Sequence, residues 1–93
     1  MDVINQSELH QFARRHANAR KPLSSWLQVA TTAAWKSMAD LKNTFRSADY
    51  VKDMVIFNIG GNNFRLIASV DFASQRIYVL EIMTHSEYDE WKV

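Results

Sequence analysis

Three side chains in the second half of the chain, Arg65, His85 and Tyr88, are of the types that could together act on a phosphodiester. RNA can be cut by its own 2′-hydroxyl attacking the adjacent phosphorus. That reaction needs a base near the hydroxyl, an acid at the leaving 5′-oxygen and a cation for the charge that builds on phosphate. Imidazole changes protonation near neutral pH and can act as acid or base. Guanidinium is a fixed, always-charged fork that fits phosphate oxygens. A phenol can hydrogen-bond phosphate or stack a nucleobase. This scheme requires no metal. The same residues also have a purely structural reading, with His85 capping a strand end and Arg65 paired to Glu81 or Asp71.

For the chemical reading to hold, the fold must bring Arg65 and the terminal "THSEYDEW" segment together. The stretch "MVIFNIGGNNFRLIASVDFASQRIYVLEIM" is rich in β-branched and aromatic residues and is interrupted by Gly60-Gly61-Asn62-Asn63, a tight-turn signal. A weaker turn at Ala73-Ser74-Gln75 completes a three-stranded antiparallel meander. Strand alternation sends Phe64, Leu66, Ala68, Val70 and Phe72 to a core face and Arg65, Ile67, Ser69 and Asp71 to the other. Arg65 is therefore expected on an open face. The last strand has two possible registers. A three-residue second turn brings Glu81 and Met83 to the Arg65 face; a two-residue turn brings Arg76, Tyr78, Leu80 and Ile82 instead. Both registers place Thr84 and His85 beside Asn63 to Arg65. His85 to Tyr88 are expected to form a turn that folds Tyr88 back toward Arg65, anchored by Trp91.

The first half reads as helical. "MDVI" suits a short strand, and Ser7 an N-cap for a helix to about Arg20, with Leu9, Phe12, Ala13 and His16 on one face. Pro22 suits the first turn of a second helix striped by Leu23, Trp26, Leu27, Ala30 and Ala34. Ser37 and Asp40 of "SMAD" form a capping box for a short helical turn through Leu41 and Phe45. Helices followed by strands indicate an α+β fold, with the N-terminal helices on one face of an antiparallel sheet. One domain spanning residues 1–93 is expected.

Composition excludes several classes. With no cysteine there is neither a disulfide nor a thiolate metal site, and His10 and His16 lie too far round a helix to share a metal. "NIGGNN" lacks the Lys-Ser/Thr of a phosphate-binding P-loop and runs into a strand. The first residues lack the apolar core of a secretory leader, and no apolar run approaches a membrane span, so a cytoplasmic protein with no membrane partner is expected. Net charge is only +1, yet Met1 to Lys52 carries eight basic residues against four acids, and Asp53 to Val93 three against six. The basic half could bind a polyanion or be ordinary solvated helix surface.

The segments "AWKSMADLKNTFRSADYV", "FNIGGNNFRLIA" and "MTHSEYDEW", spanning Trp35 to Trp91, resemble the HigB branch of the RelE-like toxins of bacterial toxin–antitoxin pairs. The resemblance implies a fold like that of small microbial ribonucleases and a metal-independent mRNA interferase that cuts mRNA, typically on the ribosome. It also implies a helix-turn-helix antitoxin of the HigA type, with DNA engaged only through that partner. Arg65 would hold the scissile phosphate, His85 would be general acid or base, and Tyr88 would orient phosphate or base. Lys36, Lys42, Lys52 and Arg76 would supply RNA affinity, with no cofactor. Where the family pattern often has a basic residue, this chain has Leu80. That departure favours the register exposing Tyr78 and Leu80, and leaves one fewer phosphate contact unless Arg76 substitutes. The alternative is a non-catalytic protein-interaction or RNA-binding module that uses the sheet face.

Overall fold

The computed structural model describes residues 1–91. Its elements in chain order are β1 (Asp2–Ile4), α1 (Ser7–Arg15), a 3-10 turn (Ala17–Ala19), α2 (Arg20–Thr32), α3 (Met38–Thr44), β2 (Asp49–Val51), β3 (Met54–Ile59), β4 (Phe64–Asp71), β5 (Arg76–Thr84) and α4 (His85–Trp91). The strands form one sheet of order β1-β5-β4-β3-β2. The meander β3-β4-β5 is as expected. Two short strands widen it: β1 runs parallel to the start of β5, and β2 pairs antiparallel with β3. Lys52 and Asp53 both take positive φ to close the β2–β3 turn. Asp tolerates that conformation but Lys seldom adopts it, and the turn holds no glycine, so its composition signal is weak.

The first helix is shorter than its apolar spacing suggests. It ends at Arg15, and His16 leaves the helical region with its ring stacked on Phe12 at 4.2 Å. The 3-10 turn then redirects the chain so that Ala19, Leu23, Trp26 and Ala30 continue the buried stripe along α2. Ser7 is not the N-cap; Gln6 occupies that position without a side-chain cap, and the Ser7 hydroxyl donates to Asn5 Oδ1 at 3.3 Å. Pro22 falls in the first turn of α2. Ser37 caps α3 by accepting from the Asp40 N–H, while the Asp40 carboxylate accepts from the Lys36 N–H at 2.9 Å. The main core lies between these helices and one sheet face. Phe57 at its centre meets Trp26 and Phe45 edge-on at 5.2 and 5.4 Å, beside buried Leu41, Leu66 and Ile77. The Met1 ammonium donates to the carbonyls of Ala30, Thr31 and Ala33 at the end of α2, tying β1 to the helical layer.

The β3–β4 hairpin turns through Gly60 and Gly61, whose φ angles of 64° and 67° are those that residues without a Cβ adopt freely. Between β4 and β5 neither expected register holds throughout. From Phe64↔Thr84 to Ile67↔Glu81 the pairing is that of the three-residue turn. A bulge then leaves Leu80 without a partner, and Ala68↔Val79 to Asp71↔Arg76 follow one residue out of step. An extra residue on one strand resets the side-chain alternation. Glu81, Met83, Tyr78 and Arg76 therefore all stand opposite residues of the Arg65 face, which each single register had divided between two faces. Leu80 is 48% exposed.

The Arg65 face is not open. Helix α4 lies across it, and Tyr88 with Trp91 packs on Ile56, Ile67 and Met83. Arg65 is consequently buried, only 7% exposed, which corrects the expectation of an exposed arginine. The residues after Thr84 form a helix rather than a turn because "THSE" is itself a capping box. Thr84 Oγ1 accepts from the Glu87 N–H at 3.2 Å, and Glu87 Oε1 accepts from the Thr84 N–H at 2.9 Å.

Candidate active site

Arg65, His85 and Tyr88 converge where β4 begins and β5 passes into α4. Residue 65 follows the Gly60–Asn63 turn, so its side chain can reach back over that turn. Nη1 donates to the carbonyls of Asn62 and Phe64 at 3.3 and 3.0 Å, and Nη2 donates to Asn62 Oδ1. The second contact of Nη2 is His85 Nδ1 at 3.1 Å. The ring of Tyr88 covers the guanidinium, with Cζ 5.6 Å from its centroid. That distance is within cation–π range.

The ladder itself places His85: its N–H donates to the Asn63 carbonyl at 3.0 Å, extending the β4–β5 pairing by one bond. The Thr84–Glu87 cap then starts α4 at His85, and the helical repeat brings Asp89 Oδ2 within 3.4 Å of His85 Nε2. Guanidinium has only donors, so Nδ1 must accept from Arg65. The neutral imidazole therefore carries its proton on Nε2, facing Asp89.

One helical turn after His85 Nδ1 is committed, Tyr88 is buried against the sheet and stacks on Trp91 at 5.7 Å. Burial pushes its phenol above the ordinary value; Asp49 and Asp89 act in the same direction, and Arg65 opposes them. The phenol thus stays protonated at neutral pH and keeps a hydrogen to donate. Thr84 holds the Glu87 carboxyl below its ordinary range, first through its backbone N–H, and the Coulombic pull of His16 and Arg15 adds to this. Glu87 is thereby committed to the cap. Asp89 is the acid that touches the imidazole.

The four basic residues expected to bind RNA do not form one patch with this cluster. Lys52, in the β2–β3 turn, is the nearest, its Nζ 5.7 Å from the Trp91 ring. Lys36 and Lys42 lie before and within α3, in the helical layer on the other side of the sheet. Arg76 opens β5, roughly 25 Å of strand from Thr84. There its charge is favoured by Tyr78, with Asp2 and Asp71 near. Among the described residues no group of three His, Asp or Glu side chains could hold a metal ion.

Asn62 reads in the sequence as a turn residue, and it supplies two of the acceptors for Arg65. The cap has a clear sequence signal, Thr84 followed three residues later by Glu87. A cleft of about 480 Å³ between α1, the outer edge of β5 and α4 gathers Glu8, Arg15, His16, Glu81 and Glu87.

Known proteins carry similar sequences. Residues 19–91 match the family described as HigB_toxin, RelE-like toxic component of a toxin-antitoxin system. The mRNA interferase toxin HigB of Escherichia coli K12 is 35% identical over 92 residues, covering 96% of this chain and 88% of that protein. The mRNA interferase HigB of Shigella flexneri matches with the same identity and coverage. An mRNA interferase HigB of Escherichia coli O6:H1 is 28% identical, over 97% of this chain and 90% of its own length. No helix among the described residues is long and apolar enough to cross a membrane. A match over most of the chain, together with this identity, places the chain in the HigB family of RelE-like toxins, the toxic components of toxin–antitoxin systems.

Proposed function

We propose that this chain is an mRNA interferase, a metal-independent endoribonuclease that cuts mRNA on the ribosome in the cytoplasm and is neutralised by a HigA-type helix-turn-helix antitoxin. DNA would be engaged only through that antitoxin. The observation that carries this reading is the convergence of Arg65, His85 and Tyr88 on one end of the sheet in a member of a toxin family.

The roles follow from chemistry. Arg65 binds the scissile phosphate and offsets the charge that develops on it. When phosphate draws the guanidinium away, His85 Nδ1 is released and can accept the 2′-hydroxyl proton; the imidazolium so formed returns a proton to the leaving 5′-oxygen. Tyr88 donates to phosphate or stacks a base. Lys36, Lys42, Lys52 and Arg76 supply sequence-independent attraction to mRNA or ribosomal RNA. Induced expression in bacteria tests the reading. Growth arrest with mRNA fragments ending in 2′,3′-cyclic phosphate and 5′-hydroxyl is expected. Harmless accumulation to high level would overturn it.

A further inference from the structure

The Arg65 fork is already filled. Its two Nη groups carry four hydrogens, and four acceptors meet them: the Asn62 carbonyl, the Phe64 carbonyl, Asn62 Oδ1 and His85 Nδ1. Two of the four are backbone carbonyls fixed by the hairpin. Asn62 Oδ1 is different: it belongs to an exposed turn residue and shares Nη2 with the histidine. Without it, Nη2 keeps its charge but loses one of the two contacts that set its direction.

We propose that Asn62 is a positioning residue: its carboxamide aims Arg65 Nη2 at His85 Nδ1 and so holds the imidazole as the Nε2–H tautomer until an RNA phosphate takes the guanidinium over. This rests on the functional reading above and adds a residue to it. Three features support it. Nη2 makes both contacts with one planar amino group, so fixing one fixes the other. Asp89 stands on the far side of the ring at Nε2, where it favours the same tautomer. A neutral amide is also the acceptor most easily exchanged for phosphate, because phosphate brings an opposite charge and can meet the guanidinium in a bidentate fit. A carboxylate at position 62 would aim the guanidinium equally well but would release it reluctantly.

The proposal is tested on the purified full chain by the 15N resonances of the His85 ring, together with kcat and KM on an RNA oligonucleotide. In Asn62→Ala the Nδ1 resonance should move from that of a hydrogen-bonded nitrogen toward that of a free one. In Asn62→Asp it should return to the wild-type position. Cleavage should separate the two variants. Asn62→Ala should lower kcat by about tenfold with KM little changed, since misdirection of a reacting group is costly. Asn62→Asp should chiefly raise KM, because its carboxylate competes with phosphate for the same fork. An unchanged Nδ1 resonance in a folded Asn62→Ala protein would overturn the proposal. The spectroscopic arm does not depend on catalysis: if no variant nor the wild type cleaves RNA while the resonances move as stated, the nuclease reading falls and the positioning role stands.

Discussion

The two faces of the sheet are built differently. One is covered by three helices, with a core from Met1 to Ile82 that includes Trp26, Trp35 and Phe57. The other carries a single helix of seven residues, whose Tyr88 packs over three buried side chains, Ile56, Ile67 and Met83, and the buried guanidinium of Arg65. The thick face has stability without candidate chemistry. On the thin face the same groups do both: Tyr88 is a packing residue and a candidate phosphate ligand, and Arg65 both satisfies a turn and aims a histidine. Stability and activity should separate cleanly under mutation on the first face and not on the second.

The largest effect is expected from breaking the thick face. Phe57→Ala removes the ring at the centre of the aromatic cluster and should cost about 3–5 kcal/mol, measured by urea unfolding. Its residual activity should track only the folded fraction. Arg65→Ala should abolish cleavage and also cost about 1–3 kcal/mol, because it leaves the Asn62 and Phe64 acceptors without their donor. An exposed arginine would leave stability within about 0.5 kcal/mol, so a thermal midpoint unchanged in Arg65→Ala would contradict the burial described here. Arg65→Lys should restore little activity, since an ammonium cannot reproduce the fork.

Next in size is the cap of α4. Thr84→Ala should destabilise by about 1 kcal/mol and lower activity, because the cap orients His85. Glu87 adds a pH signature. Its carboxyl is lowered in the folded state by the Thr84 N–H. Its contribution is therefore fully present above the unfolded carboxyl value and is lost as pH falls through the lower folded value. The stability gap between wild type and Glu87→Gln should be constant at neutral pH and shrink in acid. A gap that grew on acidification would contradict the assignment.

The smallest effects concern the surface cations. RNA affinity should fall steeply with salt. Lys52→Glu, beside Trp91, should weaken RNA binding more than Arg76→Glu, which lies at the far end of β5 among its own partners. Equal losses from both would mean that RNA runs the length of the strand. Salt-insensitive association would point to a protein partner for this surface.

How much of this was legible depended on whether a feature has a local signal. The β3–β4 hairpin did, because Gly60 and Gly61 take the positive φ their types allow. The convergence of Arg65 with His85 did too, since it survives either strand register. The burial of Arg65 did not: alternation assigns a residue to a face but is silent on what covers that face, and the cover begins twenty residues later. The Leu80 bulge had no signal, because an extra residue in a strand is compatible with ordinary strand composition. β2 escaped because its turn holds no glycine and Lys52 is an atypical residue for positive φ. The end of α1 escaped because His16 keeps its ring on the helical stripe while its backbone departs. The placement of the basic residues was the least legible, since charge counted along the chain ignores which side of the sheet each residue reaches.

The central claim is that His85, aimed by Arg65 and beside Tyr88, performs acid–base work on RNA. The most direct measurement is the single-turnover cleavage rate of His85→Ala against wild type, with RNA affinity measured on the same proteins. The imidazole lies on the surface of the cluster, 44% exposed, so its removal should leave the fold intact. The account predicts a rate lower by about 10²–10⁴-fold with RNA affinity nearly unchanged. A folded His85→Ala protein that cleaves at close to the wild-type rate would contradict it and would move the acid–base chemistry to another residue.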